Sequence, residues 1–344
     1  MNEVTRADDN LTAFLEKNAS AEVARGLVAL AEASTVVARR IRRGTLAVAP
    51  PADVGPSKDG VAQKTLDVFA HEAFVSGLRG AGVRGVLSEA HELPIGLDPE
   101  GPLLVAINPL DASSNIGANV TIGTVFSVLD APAGSLDPDH FLQRGTAQRA
   151  AGMIVYGLHV AFVFTVGRGV AIATLDPETE TYRIVTPREE IPSESNEFAI
   201  NCANSRHWPP PVQAYVEDLL EGEEGPRERD FNMRWVGSLV ADVYRILIRG
   251  GVYLYPEDSR EGYERGRLRL LYEANPVAFL IEQAGGAAID GYRRILAIEP
   301  ESIHVRTPLL FGAKDKIGRI GRYYDEDGVV MRAPLFGKRG LLRR

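Results

Sequence analysis

The stretch Leu103-Leu-Val-Ala-Ile-Asn108-Pro-Leu-Asp111-Ala-Ser-Ser-Asn115 decides how this chain is read. Its first five residues form a short, continuous apolar run, which predicts a strand buried on both faces that empties, at Asn108-Pro109, into a functional loop. In that loop an oxygen-bearing side chain is followed by a stiffening proline, and Asp111 comes three residues after Asn108. Ser113 and Ser114 then offer hydroxyls and backbone N–H groups at a short helix start, which suits them to cradle an anion. Taken alone, the octapeptide reads more readily as a turn with a serine N-cap than as a phosphate site.

The 344 residues, 45% of them hydrophobic and 24% charged, suffice for one large or two medium domains. A formal net charge of −8 provides no chain-wide basic field for a nucleic-acid backbone or an anionic membrane, so neither partner is expected. The lone Cys202 excludes an intramolecular disulfide, and the acidic first ten residues do not read as an export signal, so a cytoplasmic location is expected. No window approaches the roughly 18 apolar residues of a membrane span.

Helical spacing of Val23, Leu27, Leu30, Val37 and Ile41 predicts an amphipathic helix over residues 20–44, with Ser20 as its cap and arginines at its C-terminal end. A second helix is expected over 64–78, with Asp67 near its start. Residues 160–166 and 170–175 flank Gly167-Arg168-Gly169 as a hairpin. A polar, proline-bearing stretch over 186–196 marks a domain boundary, giving domains 1–194 and 195–344. Beyond it, residues 236–249 read as a helix stopped by Gly250-Gly251, Val252-Tyr-Leu-Tyr255 as a strand, and Asn275-Pro276 as the cap and first turn of a helix ended by Gly285-Gly286. Both halves read as α/β or α+β.

Two familiar motifs are decoys or absent. Gly80-Ala-Gly82-Val-Arg-Gly85 has the letters of a dinucleotide fingerprint, but a helix precedes it and an apolar run follows, so a helix-to-strand turn is expected. The six histidines lack the paired spacing of zinc ligands, and no GxSxG elbow is present.

With its neighbours, the octapeptide resembles the phosphate loop of the class I fructose-1,6-bisphosphatases. That family reads approximately DPLDGSSNID followed by V(S/T)IGT(I/V)F, against Asn108-Pro-Leu-Asp-Ala-Ser-Ser-Asn-Ile-Gly117 and Val120-Thr-Ile-Gly-Thr-Val-Phe126 here. Further ordered matches are Lys64-Thr-Leu-Asp67-Val, Leu87-Ser-Glu89, Arg234-Trp-Val-Gly-Ser-Leu-Val-Ala-Asp242, Gly250-Gly-Val-Tyr-Leu-Tyr255-Pro and Arg267-Leu-Arg269-Leu-Leu-Tyr-Glu273-Ala-Asn275-Pro276. The resemblance implies the sugar-phosphatase fold, with layered helices and mixed sheets in two domains. It also implies a homotetramer and Mg²⁺-dependent hydrolysis (Mn²⁺ being the other metal considered) of the 1-phosphate of fructose 1,6-bisphosphate, as in gluconeogenesis or the Calvin cycle. Sedoheptulose 1,7-bisphosphate is the alternative substrate.

Carried over by position, the resemblance implies Glu89, Asp111 and Glu273 as metal ligands with the Leu110 carbonyl, and Asn108 where an aspartate normally bridges metals. Asp67 would orient the attacking water. Asp111, Ala112, Ser113, Ser114 and Arg269 would hold the transferred phosphoryl group, Arg267 the sugar, and Asn201, Tyr255 and Arg234 the distal phosphate, with the arginine reaching a neighbouring subunit. The chain departs from the pattern at Asn108 and Ala90, each standing where the family has a carboxylate, at Ala112 in place of the loop glycine, and at Trp235 in place of a tyrosine. An amide oxygen can coordinate but brings no charge. A catalytically impaired paralogue that binds sugar phosphates or assembles with an active homologue is therefore the alternative reading.

Overall fold

The computed structural model describes residues 10–47 and 58–325. Three helices come first, α1 (Leu11–Asn18), α2 (Ala21–Arg42) and α3 (Lys58–Gly77). Eight strands follow: β1 (Val83–Ser88), β2 (Ile95–Gly96), β3 (Leu103–Asp111), β4 (Ile122–Asp130), β5 (Ala150–Tyr156), β6 (Val160–Thr165), β7 (Val170–Leu175) and β8 (Tyr182–Glu189). They form one sheet in the order β2-β1-β3-β4-β5-β6-β7-β8, in which only β1 and β3 run parallel. The rest of the chain contributes β9 (Glu197–Ala199), α4 (Pro210–Leu220), β10 (Asn232–Met233), α5 (Leu239–Arg249), β11 (Val252–Tyr255), β12 (Leu268–Arg269), α6 (Asn275–Gln283), β13 (Gly286–Ile289), β14 (Arg306–Thr307), β15 (Leu309–Ala313) and α7 (Lys314–Asp325). A second sheet has the order β10-β9-β11-β15-β13, and β12 pairs separately with β14.

Side-chain alternation along the strands builds five layers. Val105, Ile107, Phe126, Ile154 and Phe162 face α1, α2 and α3, whose Leu15, Leu27, Leu30, Val37 and Phe74 are fully buried against them. Each such side chain contributes about 1.5–3 kcal/mol of burial. Val125, Met153 and Val163, on the opposite face, pack on α5 and α6 through Val240, Val243, Val277 and Leu280. Those helices in turn cover Ala199, Tyr253 and Phe311 of the second sheet, whose far face meets α4 and α7. The result is mixed α/β with helix and sheet layers alternating, as expected, and no described helix is long and apolar enough to cross a membrane.

Several local expectations change. β3 does not stop at Asn108: pairing with β4 continues to Asp111 through a one-residue register shift between Asn108 and Asp111. Pro109 cannot donate to the ladder, so the strand bulges instead of ending, and a bulge re-aims the side chain that follows it. Thr124 Oγ1 donates to the Pro109 carbonyl at 2.8 Å and pins the bulge. Asn275 is not a cap. A π-helical turn over Leu270–Ala274 precedes α6, and Asn275 is already helical. The widened turn accommodates Pro276, which has no N–H to donate. Ser20 sits at the N-cap of α2 without a side-chain capping bond, α3 begins at Lys58 instead of Lys64, and α5 begins at Leu239. The glycine-rich decoy is the turn from α3 into β1, with Gly80 and Gly82 at positive φ.

Ala112 has φ 59° and ψ 33°, the left-handed region that a Cβ disfavours by roughly 1–2 kcal/mol. Part of that is regained through the unfolded chain, because glycine loses more entropy on folding. Ala112→Gly is therefore expected to stabilise the fold by about 0.5–1 kcal/mol, read as a rise in the urea midpoint at unchanged m-value.

Candidate active site

The site forms where β1, β3, α3, α5 and the π turn converge. Asp67, on α3, hydrogen-bonds Ser113 of the loop after β3, and burial raises its carboxyl above the ordinary range. The bulge aims Asp111 at the first turn of α5, where the Val240 N–H donates to Asp111 Oδ2 at 3.4 Å. Burial pushes Asp111 up to about 7, while N–H groups of Val240, Ala112 and Leu239 favour its charged form and Glu89 opposes it. Glu273 lies in the π turn and accepts from the Arg269 N–H at 2.6 Å. Its pKa is raised, by burial first and then by Glu89 and Asp111. Glu89, in the turn after β1, is raised by burial against the pull of Arg269 and Arg306. Arg269 Nε stands 3.8 Å from Glu89 Oε1, and its Nη1 donates to the His304 carbonyl at 2.8 Å.

Gly123 makes this geometry possible. It pairs with Asp111 across β3 and β4, and a Cβ there would meet the Ile154 carbonyl oxygen and come within 2.6 Å of Val240 Cγ2. Only a glycine lets α5 approach closely enough for its N–H groups to reach Asp111. Gly123→Ala is expected to cost about 1–3 kcal/mol of stability through overpacking. The displaced helix should also depress turnover more than substrate KM, measurable by steady-state kinetics beside thermal melts.

A second group of the expected residues lies alongside. Asn201, Tyr255 and Arg267 line one cleft with Trp208 and Asp258. Arg267 stacks over Tyr263 at 4.6 Å, and the Tyr255 hydroxyl, raised chiefly by burial, feels both Arg267 and Glu273. Trp235 lies flat against Tyr255 and Tyr253, with centroids 6.0 and 5.6 Å apart, so the indole holds Tyr255 without offering a hydroxyl. Arg234 does not join the cleft. It is exposed and reaches toward Glu197, which already accepts from Arg245 and Arg249. Asn108 and Leu110 are buried beside Asp111, while Ser114 is exposed.

Sequence reasoning missed the first turn of α5, Arg306, and the buried His71, whose ring stacks on His91 at 4.1 Å. The glycine at 123 was the available signal for the first. Nothing local pointed to the others.

The same order of blocks recurs in known proteins. The sequence profile described as "Fructose-1-6-bisphosphatase, N-terminal domain" matches residues 11–187, and its C-terminal counterpart matches 191–325. The chain belongs to the fructose-1,6-bisphosphatase family. A protein of Paracoccus denitrificans named fructose-1,6-bisphosphatase class 1 is 51% identical over 315 residues, covering 92% of this chain and 94% of the relative. One of the same name from Sinorhizobium medicae is 49% identical, with 94% of each chain covered. The crystal structure of Leishmania major fructose-1,6-bisphosphatase in holo form superposes with a TM-score of 0.84 at 30% identity, covering 92% of this chain and 99% of that one. The chain is thus a phosphatase-family enzyme.

The donor set suits a hard divalent cation. Glu89, Asp111, Glu273 and Asn108 offer only oxygen, and the three carboxylates repel one another in a low-dielectric setting that a cation would neutralise. Among the described residues no three His, Cys, Asp or Glu side chains are gathered at ligating distance.

Proposed function

We propose that this enzyme hydrolyses the 1-phosphate of D-fructose 1,6-bisphosphate to fructose 6-phosphate and inorganic phosphate. The observation that carries this reading is the pairing of two anion-handling sites: the acidic cluster with Arg269 and Ser113, and the adjoining cleft of Asn201, Tyr255 and Arg267. A sugar with a phosphate at each end suits that pairing. The names borne by its relatives support the same substrate.

In this reading Glu89, Asp111 and Glu273, with Asn108 and the Leu110 carbonyl, hold Mg²⁺, or Mn²⁺ in its place. The bound cation would supply Lewis-acid stabilisation of the phosphoryl oxygens and a more acidic water. Asp67 accepts the proton of the attacking water, which enters in line with the scissile bond. Ser113, Ser114 and Arg269 receive the phosphoryl oxygens as the phosphorus–oxygen bond to C1 breaks; the departing sugar oxygen takes a proton from solvent, and Asp67 returns the one it accepted to solvent, so the site ends as it began. Asn201 and Tyr255 grip the distal phosphate and Arg267 the sugar. Arg234, whose side chain is exposed, is available to the equivalent cleft of a neighbouring subunit in a homotetramer. The two domains meet at 194/195, and the protein works in the cytoplasm.

Asn108 and Ala90 favour one second reading, an impaired paralogue that binds sugar bisphosphates without turning them over. Phosphate release from fructose 1,6- and sedoheptulose 1,7-bisphosphate, with Mg²⁺ and with Mn²⁺, separates the possibilities. Multiple turnovers on the fructose ester are expected. Binding without release would defeat the hydrolytic reading, and a clear preference for the seven-carbon sugar would replace the substrate.

A further inference from the structure

We infer that His71 is a positioning residue which, through the hydroxyl of Ser88, holds the turn that carries Glu89. This rests on the reading of Glu89 as a cation ligand. His71 lies one helical turn beyond Asp67 on α3, buried beside Ala70 and Phe74. Its Nδ1 is 3.0 Å from Ser88 Oγ, and Ser88, the last residue of β1, is fully buried. The same Oγ accepts the Ala90 N–H at 3.3 Å. The Ser88 hydroxyl carries one proton and two lone pairs, so it accepts the Ala90 N–H and still pairs with Nδ1 of His71.

The turn itself is closed by the His91 N–H donating to the Ser88 carbonyl at 3.0 Å, and the Glu89 N–H donates to the Ile107 carbonyl of β3 at 3.0 Å. The His91 ring stacks on that of His71 at 4.1 Å and 29°. Thus the backbone on both sides of Glu89 is tied down, and one tie runs through a helix that also presents Asp67, whose charge Glu89 feels. Where the family pattern has a second glutamate, this chain has Ala90, whose N–H completes the relay.

A packing role alone does not account for the pair. A buried serine–histidine hydrogen bond among apolar neighbours is replaceable by apolar side chains at little cost in stability, provided both partners change together. What such a replacement loses is the fixed direction of the turn. Groups that orient metal ligands are commonly worth 10–100-fold in metal affinity or activity.

The test measures Mn²⁺ binding to the full chain by electron paramagnetic resonance of the free ion, alongside kcat, KM and thermal melts, for wild type, His71→Phe, His71→Asn, Ser88→Ala and the His71→Phe/Ser88→Ala pair. His71→Phe keeps the ring stack but removes the nitrogen bonded to Ser88, and is expected to weaken Mn²⁺ binding about 10-fold or more and to lower kcat with KM within about twofold. Asparagine, whose amide can pair with the Ser88 hydroxyl as acceptor through Oδ1 or as donor through Nδ2, should restore Mn²⁺ affinity to within about threefold of wild type. The double variant should melt near wild type yet bind Mn²⁺ no better than either single variant, because both remove one interaction. If His71→Phe binds Mn²⁺ as wild type does, or if asparagine fails to rescue a folded protein, His71 is a packing residue and the inference is overturned. Should His71→Phe not fold, Ser88→Ala alone decides on the same measurement. Weakened Mn²⁺ binding in the variants beside an inactive wild type would leave the inference standing and sink the hydrolytic reading instead.

Discussion

Asp111→Asn is expected to lower kcat for bisphosphate hydrolysis by about 10²–10⁴-fold, equivalent to roughly 3–5 kcal/mol of transition-state stabilisation. The exchange is nearly isosteric, so the bulge and the contact with the Val240 N–H at 3.4 Å should survive while the charge does not. The same change should alter the pH dependence of stability in metal-free protein, and the sign follows from the direction of the shift. Asp111 is raised from the ordinary 3.8 to about 7 on folding, so the folded state holds the proton more tightly. Its contribution is fully present below about pH 4 and is lost as pH rises toward and through 7. Melting temperature of the metal-free wild type should therefore fall across that window, and the asparagine variant should show a shallower slope and a higher melting temperature at pH 7.5. A divalent cation binds the deprotonated carboxylates, so its affinity for wild type should rise with pH and its uptake should release protons, measurable by calorimetry in buffers of different ionisation enthalpy. An unchanged slope in Asp111→Asn would show that the neighbouring glutamates, not Asp111, carry the titration.

The double substitution Asn108→Asp/Ala90→Glu is expected to raise kcat, by about 10²–10⁴-fold if water activation limits the natural enzyme. Ala90 lies two residues beyond the buried Ser88 and next to Glu89, so a carboxylate there would stand near Asp67, whose pKa is already raised by burial. Asn108 is 5% exposed beside Asp111. A charge at that position adds a ligand for the cation but also repulsion in its absence. The variant should accordingly melt lower than wild type without metal and gain more from added Mg²⁺, since binding to the folded state alone stabilises it. If turnover does not change, the Asn108 amide and the present carboxylates already suffice, and the impaired reading fails. Activity confined to the variant would establish that reading.

Much of the site was legible because the family's blocks are contiguous. Asn108, Asp111 and Ser113 share one short segment, and Arg267, Arg269 and Glu273 share another, so no long-range knowledge was needed to group them. The strand over Leu103–Asp111 was legible for a simpler reason: its alternate side chains feed two different apolar clusters, and a strand covered on both faces must read as a continuous apolar run. Its end was misread because proline normally signals a turn. Pro109 instead makes a bulge, since Thr124 from the neighbouring strand holds its carbonyl. Asn275-Pro276 misled in the same way, carrying the local signature of a helix start while a π turn already supplied Glu273 in front of it. Arg234, expected to serve a neighbouring subunit's cleft, stands apart from Asn201 and Tyr255 of its own chain, toward Glu197.

The sequence by itself determined the family, the alternation of helix and strand, and which oxygen-bearing residues lie together along the chain. Each of these follows from neighbours in the chain and from side-chain periodicity. Only the tertiary structure decided that the first turn of α5 faces Asp111, that Gly123 is the reason it can, and that three separate carboxylates share one low-dielectric space. It also decided that Ala112 occupies a left-handed conformation and that His71 meets Ser88. Those facts depend on how closely layers distant in sequence approach each other, and approach distance is set by packing volume rather than by local propensity. The loop from Asn108 to Asn115 named the family, while the helix packed against it gives Asp111 its chemistry.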